Sequence, residues 1–172
     1  MIEVETQISG RWNEAVDWHA LADRAVRSAI AHSRHAGLAD RDAEFSVRFA
    51  SEEVVRGLNA AWRGKDKATN VLSFPMVEND VFAATGPILM GDVVLADRVC
   101  DEEAAAAGVR IEDHAAHLVV HGTLHLLGYD HETSEASAEH MEEIERRALE
   151  AIGIADPYAA EKSPAETVRQ ES

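Results

Sequence analysis

Two histidines, His121 and His125, stand four residues apart in a segment with a helical pattern. Residues at i and i+4 lie on one face of a helix, about 40° apart around its axis, so both imidazoles can reach one ion. Gly128 follows, and glycine readily adopts the left-handed conformation that ends a helix and turns the chain. His131 can then fold back as a third ligand. Three neutral imidazoles with a fourth position open to water are typical of a catalytic zinc site.

The other possible ligands are less well placed. The single cysteine, Cys100, excludes a cluster of thiolate ligands, and we predict that it is a packed helical residue. His117 lies about 12 Å along the helix axis from His125. Neither His117 nor His114 is therefore predicted to be a ligand. We predict one divalent ion per chain, with zinc as the choice and nickel or another divalent metal as the alternative, because imidazole suits several of them.

The histidine spacing is also that of the extended zinc-protease motif, His-x3-His-x2-Gly-x2-His. In those enzymes a glutamate follows the first histidine and activates the attacking water. In this chain Gly122 stands at that position. The predicted metal clamp is retained and the peptidase base is missing, so a zinc peptidase or another small metal hydrolase is kept only as an alternative function.

The charge of the chain is unevenly distributed. Its 172 residues include 16 basic and 32 acidic residues, for a net charge of -16, which argues against a globally electropositive nucleic-acid binder. Residues 41–70 are the exception, with six basic and five acidic residues. A local basic patch is therefore compatible with the acidic background.

Hydrophobic periodicity predicts an α+β fold, in which a mixed sheet of about four strands packs with about five helices. The chain would form one domain over residues 1–153, followed by a flexible tail over 154–172 that has little to bury. Gly37 is the predicted C-cap residue of the first helix, and Gly91 is predicted to interrupt the last strand. The predicted strands are 2–8, 45–49, 71–75 and 87–96, and the predicted helices are 15–36, 51–62, 97–107, 112–127 and 134–152.

No segment has the pattern of a secretory signal or of a membrane span, which needs roughly 18 apolar residues. We therefore expect a cytoplasmic protein with no membrane partner.

Three stretches together resemble the YbeY family of bacterial endoribonucleases over roughly residues 1–153. They are HGTLHLLGYDH at 121–131, Leu58-Asn59 followed by RGKDKATNVLSFP at 63–75, and Gly-Asp-Val-Val at 91–94. One departure is visible, because Asn70 stands where many members have aspartate. An argument that needs a carboxylate at this position does not carry over to this chain.

The resemblance implies a single-strand-specific, metal-dependent endoribonuclease that acts in ribosomal RNA processing, notably 3′ end maturation of small-subunit rRNA, and in ribosome quality control. It implies a metal site at His121, His125 and His131 and a functional arginine at Arg63. The implied partners are ribosomal RNA, the small ribosomal subunit and its assembly proteins, with no DNA specificity. A non-catalytic, metal-stabilised ribosome assembly factor remains the alternative.

The chemistry of phosphodiester cleavage agrees with this assignment. A metal held by imidazoles activates water and polarises a phosphoryl oxygen, and a guanidinium is a planar, permanently charged clamp for the phosphate oxygens. We predict Arg63 and His121 as catalytic residues, and Arg63, Lys65 and Lys67 as RNA-binding residues. The spacing does not identify a general base, and Asp130 can be either a carboxylate that orients a ligand or a turn residue.

Overall fold

The computed structural model describes residues 1–77, 86–130 and 134–159. The predicted ligand His131 and residues 160–172 of the predicted tail lie outside the described residues. Within the described part, the chain forms one four-stranded sheet and five α-helices. The predicted α+β fold with a mixed sheet is confirmed.

The sheet consists of β1 (Ile2–Ile8), β2 (Ala43–Ala50), β3 (Val71–Pro75) and β4 (Ile88–Ala96). The strands lie side by side in the order β1-β2-β4-β3. The first three in this order are parallel, and β3 pairs with β4 in the antiparallel direction. β3 is therefore an edge strand, and it is the strand that carries the end of the 63–75 motif.

The helices are α1 (Trp18–His32), α2 (Glu52–Arg63), α3 (Asp97–Ala107), α4 (Ile111–Leu126) and α5 (Glu135–Ala151). Alternate residues of each strand form the main core with α1, α4 and α5. α2 packs on the other face of the sheet, against Leu72 and Val94. None of the described helices is both long and apolar enough to cross a membrane.

The predicted bounds of the first helix, 15–36, are wrong at both ends. It begins at Trp18, because the Asp17 side chain caps it by accepting from the Ala20 amide. It ends at His32, without Gly37 as its C-cap, because Ser33 has an extended backbone and its hydroxyl donates to the Ile30 carbonyl at 2.8 Å. Gly37 lies instead in a short 3-10 helix, Ala36–Asp40.

The last strand runs through Gly91 without interruption. Its pairing with β2 shifts by one residue there, which is a β-bulge, so that Glu44 pairs with Leu89 and Phe45 with Gly91. Gly91 has a φ of 135°, which favours glycine, and a Cβ at this position would collide with the carbonyl of Phe74 on β3.

Candidate active site

A glycine lets α4 approach the sheet closely beside the edge strand. A Cβ on Gly122 would lie 2.6 Å from Cγ1 of Val93 and 3.0 Å from Oγ of Ser73. The Ser73 hydroxyl also donates to the Gly122 carbonyl at 3.3 Å. The glutamate that zinc proteases carry at this position does not fit here unless the helix moves away from the sheet. Gly122 therefore both removes the peptidase base and brings the histidines of α4 next to β3.

The turn after α4 orients His125. Gly128 has a φ of 98°, as predicted, and the turn is closed by hydrogen bonds from the Gly128 amide to the His125 carbonyl and from the Tyr129 amide to the Leu124 carbonyl, both 3.0 Å. This pair of bonds defines a Schellman motif. The turn brings the Tyr129 carbonyl within 2.9 Å of Nδ1 of His125. A carbonyl only accepts, so Nδ1 carries the proton.

His121 is oriented by a buried carboxylate on α5. Nδ1 of His121 lies 3.2 Å from one oxygen of Glu145. The other oxygen accepts from Nε2 of His117 at 2.6 Å and from the Tyr158 hydroxyl at 2.8 Å. The Glu145 side chain is only 1% exposed. Burial alone would raise its pKa, but the hydrogen bonds from His117 and His121 outweigh this effect and lower the pKa to about 2. Glu145 is therefore ionised and acts as an acceptor.

The two Nε2 atoms of His121 and His125 face each other at 3.1 Å. Because each Nδ1 lies beside an acceptor, Nε2 is the ring nitrogen that can bind a cation in both histidines. Two nitrogens bound to a tetrahedral zinc ion at about 2.0–2.1 Å lie about 3.3 Å apart. The observed pair therefore fits a shared divalent cation. No group of three potential ligands is found within the described residues, which do not include His131.

These histidines open into a polar cleft of about 520 Å³. Arg63 lies on the cleft wall, as the last residue of α2 before Gly64, whose φ of 69° turns the chain. The Arg63 side chain is exposed and forms no ion pair in the part of the chain that the structure describes. The full lining is Arg63, Thr69, Asn70, Val71, Leu72, Ser73, Pro75, His121, His125, Gly128, Tyr129 and Asp130.

The two predicted RNA-binding lysines are exposed but do not line this cleft. Lys65 and Lys67 follow α2 in a loop that is held by a hydrogen bond from the Asn59 side chain to the Lys67 carbonyl, 2.9 Å. An ion pair between Arg56 and Asp66, also 2.9 Å, fixes the same loop from outside. The structure thus separates Arg63, on the cleft wall, from the lysines next to it in the sequence.

Asn70 lines the cleft and connects it to a second carboxylate. Its side-chain amide donates to Glu103 of α3 at 3.0 Å, and Nε2 of His114 lies 2.8 Å from the same oxygen. The hydrogen bond from His114 lowers the pKa of Glu103. An aspartate at position 70 would face this carboxylate at hydrogen-bond distance. The presence of Glu103 therefore explains why an amide suits position 70 in this chain.

Sequence reasoning missed Glu145. It stands among many acidic residues, which indicate a solvated helix face. Its position nevertheless belongs to the buried stripe of α5, with Met141, Ile144 and Ala148. A carboxylate on an apolar stripe of a helix is a signal that could have identified it, because a buried charge needs partners.

The fold and the site together define a class: a small α+β domain with paired histidines and an arginine in one polar cleft at the edge of a mixed sheet. The chain belongs to the family described as Endoribonuclease YbeY, whose family model matches residues 7–153. The resemblance seen in the sequence motifs is thereby confirmed.

Relatives with this name are similar over most of the chain. The Endoribonuclease YbeY of Novosphingobium aromaticivorans is 49% identical, over 92% of this chain and 96% of its own. That of Rhizorhabdus wittichii is 48% identical, over 92% and 98%. The solution structure of TM1509 from Thermotoga maritima covers 95% of both chains with a TM-score of 0.57 and 24% identity, and shows the same fold.

Proposed function

We propose that this protein is a single-strand-specific, metal-dependent endoribonuclease that processes ribosomal RNA. Its membership of the Endoribonuclease YbeY family and the names of its relatives support this activity. The observation that carries the proposal is that His121, His125 and Arg63 line one polar cleft. The finer role, maturation of the 3′ end of small-subunit rRNA and quality control of ribosomes, rests on the resemblance to the family.

His121 and His125, together with His131, would hold one divalent ion, for which zinc is our choice. Such an ion lowers the pKa of bound water and polarises a phosphoryl oxygen. Glu145 and the Tyr129 carbonyl hold the two described rings with their Nε2 atoms directed at one point. This support fixes the tautomer of each ring and raises its basicity as a ligand.

Arg63 would bind the non-bridging oxygens of the scissile phosphate. Its guanidinium is always charged and offers paired donors that match two phosphate oxygens. Negative charge on these oxygens is stabilised most strongly where the clamp is already in place. The nucleophile is either a water molecule or the 2′-hydroxyl of the RNA, and the termini of the products distinguish these two routes.

The net charge of -16 opposes tight binding of naked RNA, because most of the surface repels phosphates. We infer that productive recognition depends on the small ribosomal subunit and its assembly proteins. A role in rRNA processing would place the protein in the cytoplasm. If the purified protein cut only the correct site, with tight affinity at physiological salt, this dependence would be refuted.

The test is cleavage of a single-stranded RNA by the wild type, Arg63→Ala and His121→Ala, with circular dichroism to confirm the fold. We expect both variants to lose about 10²–10³-fold or more in rate, as for removal of an electrostatic contact to the reacting group. Arg24→Ala, an exposed arginine on α1, is the matched control and should cleave like the wild type.

Two outcomes would favour the alternatives. A folded but inactive Arg63→Ala protein that still supports ribosome maturation in cells would favour a metal-stabilised assembly factor. Cleavage of casein by the metal-loaded protein would favour a peptidase. The structure opposes this alternative, because the close packing at Gly122 leaves no room for the glutamate that serves as the base in zinc peptidases.

A further inference from the structure

One tryptophan remains exposed beside the cleft. α2 buries Val55 and Asn59 on its inward side. Trp62 lies seven residues after Val55 and three after Asn59, so it is on the same side of the helix. Yet the Trp62 side chain is 73% exposed. Its ring contacts Phe74 of the edge strand β3 in an edge-to-face arrangement, with the ring centroids 6.3 Å apart.

This aromatic pair and the histidines of the cleft lie on opposite sides of the same edge strand. Arg63 directly follows Trp62, and Phe74 stands between Ser73 and Pro75, which both line the cleft. Successive strand residues point to opposite faces, and Ser73 faces α4. Phe74 and Trp62 therefore lie across β3 from the histidines. A nucleotide chain that passes over the free edge of β3 would meet the cleft first and the indole next.

The cleft itself offers little to an RNA base. Apart from the two histidines assigned to the metal, the one aromatic side chain among its described lining residues is Tyr129, which is buried. The guanidinium of Arg34 already lies over the Tyr129 ring, 4.2 Å from its centroid. The remaining polar lining suits phosphate and ribose. An unpaired base next to the bound phosphate would therefore need an aromatic face outside the cleft.

We propose that Trp62, supported by Phe74, is a stacking platform for an unpaired base of the RNA whose phosphate is bound at Arg63. The platform rests on the proposed ribonuclease function and adds a binding site to it. A single exposed apolar side chain is common on protein surfaces. The argument for a base comes from the position of this one, adjacent in sequence to the phosphate clamp and braced by a second ring. Stacking accepts any base and requires that the base be unpaired.

The test compares the affinity of four proteins for a ten-nucleotide single-stranded RNA that carries 2′-O-methyl groups, which block attack by the 2′-hydroxyl, and gel electrophoresis checks that the RNA stays intact. The proteins are the wild type, Trp62→Leu, Trp62→Phe and the control Val109→Ala, which alters another exposed apolar residue. We expect Trp62→Leu to bind about tenfold more weakly, within the range of aromatic–base stacking. Trp62→Phe should stay within about threefold of the wild type because it retains an aromatic face. Val109→Ala should bind normally.

An abasic scan locates the stacked base. Removing the base at one position should weaken binding to the wild type about tenfold and leave binding to Trp62→Leu unchanged, because the two losses remove the same contact. Trp12 and Trp18 are buried, so quenching of tryptophan fluorescence by the RNA would report mainly on Trp62.

Equal affinity of Trp62→Leu and the wild type would overturn the platform. Equal losses at every abasic position in both proteins would also overturn it. In either case the indole would be left to contact a partner protein. A wild type that cleaves RNA neither in free form nor in the small ribosomal subunit would instead refute the ribonuclease function. Thermal denaturation of each variant checks that the fold is retained.

Discussion

Replacing Glu145 by glutamine tests whether a buried carboxylate orients the metal-binding histidines. In the wild type its two oxygens accept from His121, His117 and the Tyr158 hydroxyl at 2.6–3.2 Å. A glutamine of the same size has only one acceptor oxygen, and its NH2 group would face donors. Leaving a buried donor unsatisfied costs about 1–3 kcal/mol. A destabilisation of about 2–3 kcal/mol would lower the Tm of a domain of this size by about 5–10 °C.

The metal affinity should fall as well, because His121 loses the acceptor that fixes its tautomer. Loss of such a supporting group typically costs 10–100-fold in metal affinity. The assays are a competitive zinc titration against a chelating dye and thermal denaturation of the metal-free protein. Glu143→Gln is the matched control, since Glu143 lies on the same helix but pairs with Arg146 and Arg147 at the surface. It should bind zinc like the wild type. If Glu145→Gln also bound zinc normally and kept its Tm, the proposed orienting role would be refuted.

Three further perturbations test particular contacts. Gly122→Ala forces a methyl group against Val93, at 2.6 Å before relaxation, and should destabilise the fold by about 1–3 kcal/mol in denaturant unfolding. Asn70→Asp places a second carboxylate beside Glu103 at about the present 3.0 Å, so its Tm should fall at neutral pH and recover part of the loss on acidification. Because the pKa of Glu103 is lowered in the folded state, its interaction with His114 stabilises the protein above the ordinary carboxyl pKa. That stability is lost as pH falls through the lowered value. Glu103→Gln should therefore reduce the Tm at pH 6 and have little effect near pH 2.

Each of these has a result that contradicts it. An unchanged unfolding midpoint for Gly122→Ala would mean that α4 can move away from the sheet at no cost. A Tm of Asn70→Asp that is independent of pH would exclude repulsion as the cause of any loss. An equal effect of Glu103→Gln at both pH values would show that its charge is not what matters.

Local features of the sequence predicted much of the fold. The alternation in residues 2–8 identified β1 with its observed bounds. Ser51, at the start of the predicted helix 51–62, is a favourable N-cap residue type, and its side chain does cap α2 by accepting from the Val54 amide. Gly128 ends α4 as its residue type predicts. In each case the information lies within a few residues of the feature. The predicted end of the first helix was wrong because the Ser33 hydroxyl, rather than a glycine, terminates α1.

Features that depend on distant contacts could not be predicted. The strand order places β4 between β2 and β3, which no local pattern specifies. Glu145 became a partner of His121 only because α5 packs on α4. The role of Asn70 likewise depends on Glu103, a residue of another helix. The histidine pair was predictable since both residues lie on one helix face, whereas the supporting carboxylate comes from elsewhere in the fold.

Metal content per chain is the most direct test of the central claim, that His121 and His125 bind one cation at the end of α4. Elemental analysis should be made on freshly purified wild type, His121→Ala, His125→Ala and the control His114→Ala. We predict about one zinc or equivalent divalent ion per chain for the wild type and the control, and almost none for the other two. A wild type without metal, or a His125→Ala protein that retains it, would contradict the account.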